Sequence, residues 1–278
     1  MIEQLLSPFQ YSFMVRAFLG TGIVAVIAAV IGTFVVLKGL AFMGDAIAHT
    51  SFTGIAFALL VKISVYLGAL IFALLTALGV VFLTRVSKVK DDTALAILFT
   101  GVFALGVVLL AMTPGFAGDL NSLLLGSVMG IQAKEIWFIA AVAVSLAVIL
   151  ALFFDKFVFV LFDPVGAEAA GFPAVFLQSL LLAMVAAAIV ISIQAVGVIL
   201  VVALLITPAA TAGLISKKIR PLLLLAAVFG LISAFGGLYI SFFLGAPPGA
   251  AIVLGATTIF GLVLGGQKLY LRIFKKIR

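Results

Sequence analysis

An all-α polytopic membrane protein is the fold class this sequence predicts, and three observations predict it. Of 278 residues 66% are apolar and only 9% charged, whereas a soluble chain carries roughly 25% charged residues. Uncharged runs recur that are long enough, at about 20 residues, to cross a hydrocarbon core about 30 Å thick. The basic residues gather in the short segments between those runs, as the bias of Lys and Arg toward cytoplasmic loops requires.

The spans follow in order when the chain is cut at its charges and turn residues. Runs 17–37, 63–84, 93–118 and 136–154 each cross once. Run 40–61 is interrupted only by Asp45 and His49 and is taken as a further span. The longer runs 169–216 and 221–267 each hold two crossings, with breaks near Gln194–Gly197 and at Gly245-Ala246-Pro247-Pro248-Gly249. Eight or nine transmembrane helices are expected, the lower number applying if the first segment lies on the membrane surface. Putting Lys38, Arg85, Lys88, Lys90, Lys156, Lys217, Lys218, Arg220 and the tail from Lys268 on one side leaves only Arg16, Lys62 and Lys134 on the other. With nine helices the C-terminus is then cytoplasmic and the N-terminus outside.

The net charge of +7 has this same topological origin, so it gives no reason to expect nucleic acid as a partner. Glu3 precedes any basic residue and apolar segments continue along the chain, so an integral protein is expected rather than one secreted behind a signal peptide. No hydrophilic stretch divides the chain, and residues 1–278 read as a single transmembrane domain. The absence of cysteine rules out disulfides and thiolate metal sites. No G-x-x-x-x-G-K-[ST] loop is present to cradle ATP phosphates, and a single histidine rules out H-E-x-x-H. Catalysis by this chain is not expected, and energy for any transport comes from another polypeptide or a gradient.

Asp45 and His49, the sole histidine, stand four residues apart, so on a helix they share one face and reach the same ion or each other. A charge in hydrocarbon costs at least about 2.5 to 3.5 kcal/mol, which makes an intramembrane ionisable pair a functional candidate. Lys38, a few residues upstream, leaves open a position near a membrane surface. Carboxylate oxygen and imidazole nitrogen suit Mn²⁺, Fe²⁺ or Zn²⁺. The alternative is a neutral histidine bonded to Asp45 that joins two helices.

Two further segments stand out. Asp163-Pro164 is a good helix start, and Glu168, Gly171 and Pro173 close a helix of about seven residues. Too short to span and on the Lys-rich side, this segment, about 163–171, is expected to dock in the cleft of an ATPase, unless it only joins its neighbours. Bulky charged residues at Ala167 and Gly171 are expected to uncouple ATP hydrolysis from transport. Gln194 and Thr207-Pro208-Ala209-Ala210-Thr211 interrupt otherwise apolar sequence. Pro208 frees a carbonyl and its small neighbours allow close helix approach, so packing and pathway shape are preferred to direct ligation. Gly126-x-x-x-Gly130 and Gly261-x-x-x-Gly265 are weaker packing signals.

At these positions the sequence resembles the permease subunits of bacterial zinc/manganese/iron ABC transporters, the ABC-3 family. Leu40 through His49 with Gly54 is similar to that family's Gly-Asp-x-x-x-His segment, and 194–212, QAVGVILVVALLITPAATA, to its stretch ending in Pro-Ala-Ala-Thr-Ala. Asp91 through Ala94, Asp119-Leu120 with Leu125-Gly126, and Phe162 through Gly171 follow in the same order. One departure is Thr50-Ser51-Phe52-Thr53, where Ala- and Pro-containing residues are expected. The resemblance implies a multi-pass permease of the bacterial cytoplasmic membrane. It takes a divalent metal from an extracytoplasmic binding protein and is driven by a separate ATP-binding cassette subunit. Asp45 and His49 line the metal path, and no cofactor is permanently bound. A permease homodimer, with two copies facing each other across a shared site, is the assembly expected. A stand-alone carrier exchanging metal for protons and a structural subunit of a larger complex are the rival readings.

Overall fold

The structure, a computed structural model, describes residues 7–113 and 128–275, with the side chains of Gln194 and 270–275 left out. Its ten α-helices are α1 (Ser12–Leu37), α2 (Met43–Val61), α3 (Val65–Ser87), α4 (Asp91–Ala111), α5 (Ala133–Phe162), α6 (Pro164–Ala169), α7 (Ala174–Val196), α8 (Val198–Ile215), α9 (Ile219–Leu244) and α10 (Pro248–Lys275). Among the described residues, nine of these are long and apolar enough to cross a membrane. The nine-span reading holds, with α6 as the short helix between spans.

Helices are what an apolar solvent demands, because each bonds its own backbone within the segment. Side-chain hydroxyls do the same: Thr33, Ser192 and Ser233 donate to the carbonyls of Ala29, Ala188 and Phe229 at 2.9, 2.6 and 2.7 Å. Helix ends fall at the turn residues. Gly197, with φ 85° and ψ 164°, separates α7 from α8 in a conformation essentially reserved for glycine. Gly245, at φ 64°, ends α9 before Pro247 and Pro248. Two expected spans change in length. The run 93–118 is helical as far as Ala111, and 114–118 lie outside the described residues. The run 136–154 extends to 30 residues, Ala133–Phe162, a rise of about 45 Å. That length matches headgroup to headgroup, which is where Lys134, Glu135, Asp155 and Lys156 fall.

The most deeply buried helix, α1, packs against α5, α7, α8 and α9, while α10 covers α8 and α9. Helices α2, α3 and α4 form a second group that joins the first mainly through α3 on α7. Ion pairs tie the Lys-rich connections together at one end: Lys38 to Asp91 at 3.6 Å, Arg85 to Glu168 at 3.1 Å, and Arg220 to Asp155 at 3.9 Å. The opposite end carries Lys62, Tyr66, Lys134 and Glu135.

Contact between α2 and α3 is at backbone distance. A Cβ on Gly54 would collide with the backbone of Gly68 and Ala69, and one on Gly68 with Gly54. Small residues are what allow such an approach where no hydrophobic force drives helices together. Gly54→Val should therefore destabilise the folded chain by about 1–3 kcal/mol through overpacking. Gly101→Ala, at a position with open space around it, should be neutral or stabilise by up to about 1 kcal/mol. Thermal unfolding of both variants in one detergent checks the contrast.

Candidate metal pathway and coupling helix

Helix α2 opens with the Met43 amide donating to the carbonyl of Leu40 at 2.9 Å, which places Asp45 in the first turn, where the helix dipole favours a carboxylate. His49 follows one turn later. Its Nδ1 lies 2.9 Å from the backbone oxygen of Asp45 and 3.5 Å from the carboxylate oxygen Oδ1. Because both neighbours are acceptors, Nδ1 carries a proton and donates. The side chains of His49 and Asp45 remain 27% and 35% exposed, so the pair lines a surface of this chain instead of its core. It sits near the end of the bundle that carries the Lys38–Asp91 ion pair.

Neighbouring helices fix the ring in place. Phe99 and Phe103 of α4 stand edge-on to His49 with centroids at 5.5 and 5.7 Å. One turn beyond His49, Thr53 donates to the Val102 carbonyl at 2.9 Å and bridges α2 to α4. On the other flank, a Cβ on Gly44 would rest 3.4 Å from Leu205 of α8. The departure at Thr50-Ser51-Phe52-Thr53 leaves α2 unbroken, because the Thr50 and Ser51 hydroxyls donate to the Ile47 carbonyl at 3.2 and 2.7 Å.

Chemically the pair is an oxygen and a nitrogen donor with room for more. An ion shared by both takes Nε2 only if the carboxylate swings from Nδ1, or Nδ1 only if the ring gives up its bond to the Asp45 carbonyl. Left as it stands, Asp45 instead orients the imidazole, as carboxylates behind metal-bound histidines do. Among the described residues no cluster of three or more His, Cys, Asp or Glu exists. One chain thus offers at most two strong ligands here.

The Thr207–Thr211 segment of α8 lies close by. Pro208 is buried within a helix that continues through it, and Thr211 donates back to the Thr207 carbonyl at 2.7 Å. Leu205, one turn before Ala209, touches Gly44 and abuts Gly32 of α1 at backbone distance. Ala209 and Ala212 pack with Ala29 and Ala226 in a small apolar cluster. The geometry is that of a tight packing seam beside Asp45. Gln194 belongs to α7, but its side chain lies outside the described residues, as do Asp119, Leu120, Leu125 and Gly126.

Helix α6 forms as its ends dictate. The Asp163 carboxylate accepts from the Gly166 amide at 2.8 Å, Pro164 occupies the first turn, and Gly171 closes the segment at φ 83°. Ala167 is fully buried. A bulky charged residue there would therefore unseat the helix, while Val165 faces outward at 77% exposed, beside Phe162 at the end of α5, 65% exposed. Glu168 bonds Arg85 in the last turn of α3 at 3.1 Å. Sequence reading passes over Phe99, Phe103, Thr53 and Arg85. The two phenylalanines repeat the four-residue spacing of Asp45 and His49, yet nothing marks them out among so many apolar neighbours.

Comparison with known proteins gives concordant results. The family model described as "ABC 3 transport family" matches residues 10–265. The manganese transport system membrane protein MntC of Halalkalibacterium halodurans is 40% identical, the match covering 94% of this chain and 88% of that protein. A probable iron transport system membrane protein of Haemophilus influenzae is 36% identical over 98% of this chain and 100% of its own length. The solved structure of PsaBC from Streptococcus pneumoniae in complex with Fab superposes with a TM-score of 0.85 at 30% identity, covering 98% of this chain and 99% of that one.

Because the chain has a single histidine, ¹⁵N-histidine labelling reads this ring alone. In lipid nanodiscs without metal, Nδ1 should carry a proton, and diamagnetic Zn²⁺ should shift one of the two nitrogens. A ring protonated on Nε2 alone would contradict the arrangement.

Proposed function

We propose, since the chain belongs to the ABC 3 transport family, that it carries Mn²⁺, Fe²⁺ or Zn²⁺ across the cytoplasmic membrane along a route lined by Asp45 and His49. The chain is the membrane-spanning permease of an ABC importer for metals, and ATP hydrolysis belongs to a separate subunit. The relatives named for manganese and for iron support a first-row divalent ion as cargo. The observation that carries the route is the placement of the only histidine against a carboxylate, half-open on the surface of a membrane helix.

Metal arrives from an extracytoplasmic binding protein at the end that carries Lys62 and Lys134, and leaves at the Lys-rich end, where the C-terminus lies in the cytoplasm. The expectation that Lys and Arg favour cytoplasmic loops supports this orientation. Two ligands per chain favour a homodimer, in which two copies complete a shared four-ligand site. Oxygen and nitrogen donors alone do not select among these ions, because affinities follow the Irving–Williams order. Choice of ion then rests with the delivering protein.

Coupling runs through α6. Its exposed Val165, with Phe162 at the end of α5, docks in the ATPase, and displacement passes through the Glu168–Arg85 pair to α3. The Gly68–Gly54 contact hands it on to α2, and so to Asp45 and His49. Thr207, Pro208 and Thr211 shape the seam on which α2 moves, with Gln194 at the far end of the α7–α8 pair.

Uptake into proteoliposomes containing this chain, its ATPase and its binding protein should fall by about tenfold or more for Asp45→Asn and His49→Ala, the scale on which metal sites respond to lost ligands or their partners. Undiminished uptake with the complex assembled would make the pair structural. For coupling, Arg85→Glu and Glu168→Arg should each leave ATP hydrolysis running while uptake drops, and the double exchange should restore uptake. No rescue by the double exchange would remove this pair from the relay.

A further inference from the structure

At the end of the bundle opposite the ion pairs, a polar cavity of ≈ 420 Å³ opens between the N-terminal turns of α3 and α5, bounded by Ser64, Tyr66, Lys134, Glu135 and Phe138. It continues into an apolar groove of ≈ 250 Å³ that shares Ser64, Tyr66 and Phe138 and runs inward between α3, α5 and α7 along Leu67, Leu70 and Ala187. From Ser64 to Leu70 the groove descends about two helical turns, or about 9 Å. A larger groove between α1, α5 and α9 is lined by apolar residues alone, so it takes any hydrocarbon without selection. Of these two grooves, the first has a polar mouth on an apolar channel.

Depth in the membrane is set by the residues around that mouth. Trp137, the sole tryptophan, is 78% exposed beside it, and Tyr66 stacks edge-on to Phe138 with centroids at 5.6 Å. Aromatic residues of this kind mark the headgroup level. The cavity thus lies among lipid headgroups and the groove among the first methylenes of their chains.

Charges in the mouth come as one adjacent pair of opposite sign. Glu135 accepts the Gln132 amide at 2.8 Å through Oε2 and the Tyr66 hydroxyl at a long 3.5 Å through Oε1, so Oε1 keeps capacity for a stronger donor. Lys134 forms no ion pair among the described residues, and the Ser64 side chain makes no capping bond to α3. Neither reading of metal transport uses any of these groups.

We propose that this is a binding site for one phospholipid whose headgroup carries both a phosphate and a primary ammonium, of the ethanolamine type. The phosphate pairs with Lys134 and the Ser64 hydroxyl, the ammonium with Glu135, and an acyl chain fills the groove along Leu67, Leu70 and Ala187. A purely anionic lipid satisfies Lys134 but sets its headgroup against the Glu135 carboxylate, so the ethanolamine lipid is preferred. Occupancy clamps α3 to α5 and α7, where the two helix groups are mainly joined.

The test is native mass spectrometry of the full chain, released from nanodiscs holding equal amounts of phosphatidylethanolamine and phosphatidylglycerol. One ethanolamine lipid should be retained per chain, in several-fold excess over the glycerol lipid. Glu135→Gln keeps the helix cap but should remove that preference. Lys134→Gln should lower retention of both lipids. Ala187→Trp, which fills the groove, should abolish retention, and Leu67→Trp at the exposed rim does so without touching the core; melting curves on all four confirm that they fold. Equal retention of the two lipids by the wild type, or retention unchanged in both tryptophan variants, overturns the proposal.

Discussion

Hydrocarbon offers no hydrogen bonds, and a backbone group left unsatisfied there costs several kcal/mol. Everything else in this structure answers to that constraint. It makes the spans helical, folds the hydroxyls of Thr33, Ser192 and Ser233 back onto their own helices, and drives ion pairs to the ends. Lys38–Asp91, Arg85–Glu168 and Arg220–Asp155 all sit at one end of the bundle, where they fasten connections that apolar packing alone would leave free. Against this background Asp45 and His49 stand out as a carboxylate and the sole histidine paired on one face of a span and partly exposed.

Removing water also removes the usual driving force between helices, so closeness of approach has to replace it. Glycine supplies that closeness at two kinds of place here. Gly54 against Gly68 sets α2 on α3, and Gly32 against the backbone of Leu205 sets α1 on α8. Both contacts lie within a few turns of Asp45 and His49. A contact between backbones transmits displacement without the slack of side chains, which is the property the proposed relay from α6 requires. The Thr53–Val102 bond adds a polar tie from the same helix to α4, and α4 in turn carries the phenylalanines that hold the His49 ring.

How much of this was legible in the sequence depends on whether one residue or a pairing carries the information. Spans are a property of single segments, so charge and length located all nine of those described, and Gly197 and Gly245 marked their breaks. The cap of α6 is likewise local: Asp163 and Pro164 specify it without help from the rest of the chain. Long-range partners are another matter. Arg85 reads as one more topogenic cation until Glu168 is seen beside it, and Ala167 reads as a docking surface until the fold buries it. Phe99 and Phe103 gain meaning only from the ring they face. The i, i+4 spacing foretold that Asp45 and His49 would meet, but not that the carboxylate would address Nδ1.

That last detail bears on what a permease site has to do. A carrier must bind its ion well enough to strip part of its hydration, yet release it on each cycle, so a closed set of strong ligands is a disadvantage. On the proposed route, one chain contributes an imidazole nitrogen already oriented by its own helix, together with a carboxylate that serves as ligand only after turning from the ring. The difference between those two arrangements is a side-chain rotation, not a rebuilt backbone. A relay that shifts α2 by a small amount against α4 and α8 would change the balance between them, and with it the number of donors the ion meets. Loose ligation and tight helix packing are then two parts of one design: rigid contacts carry the movement, and a site with few donors turns it into release.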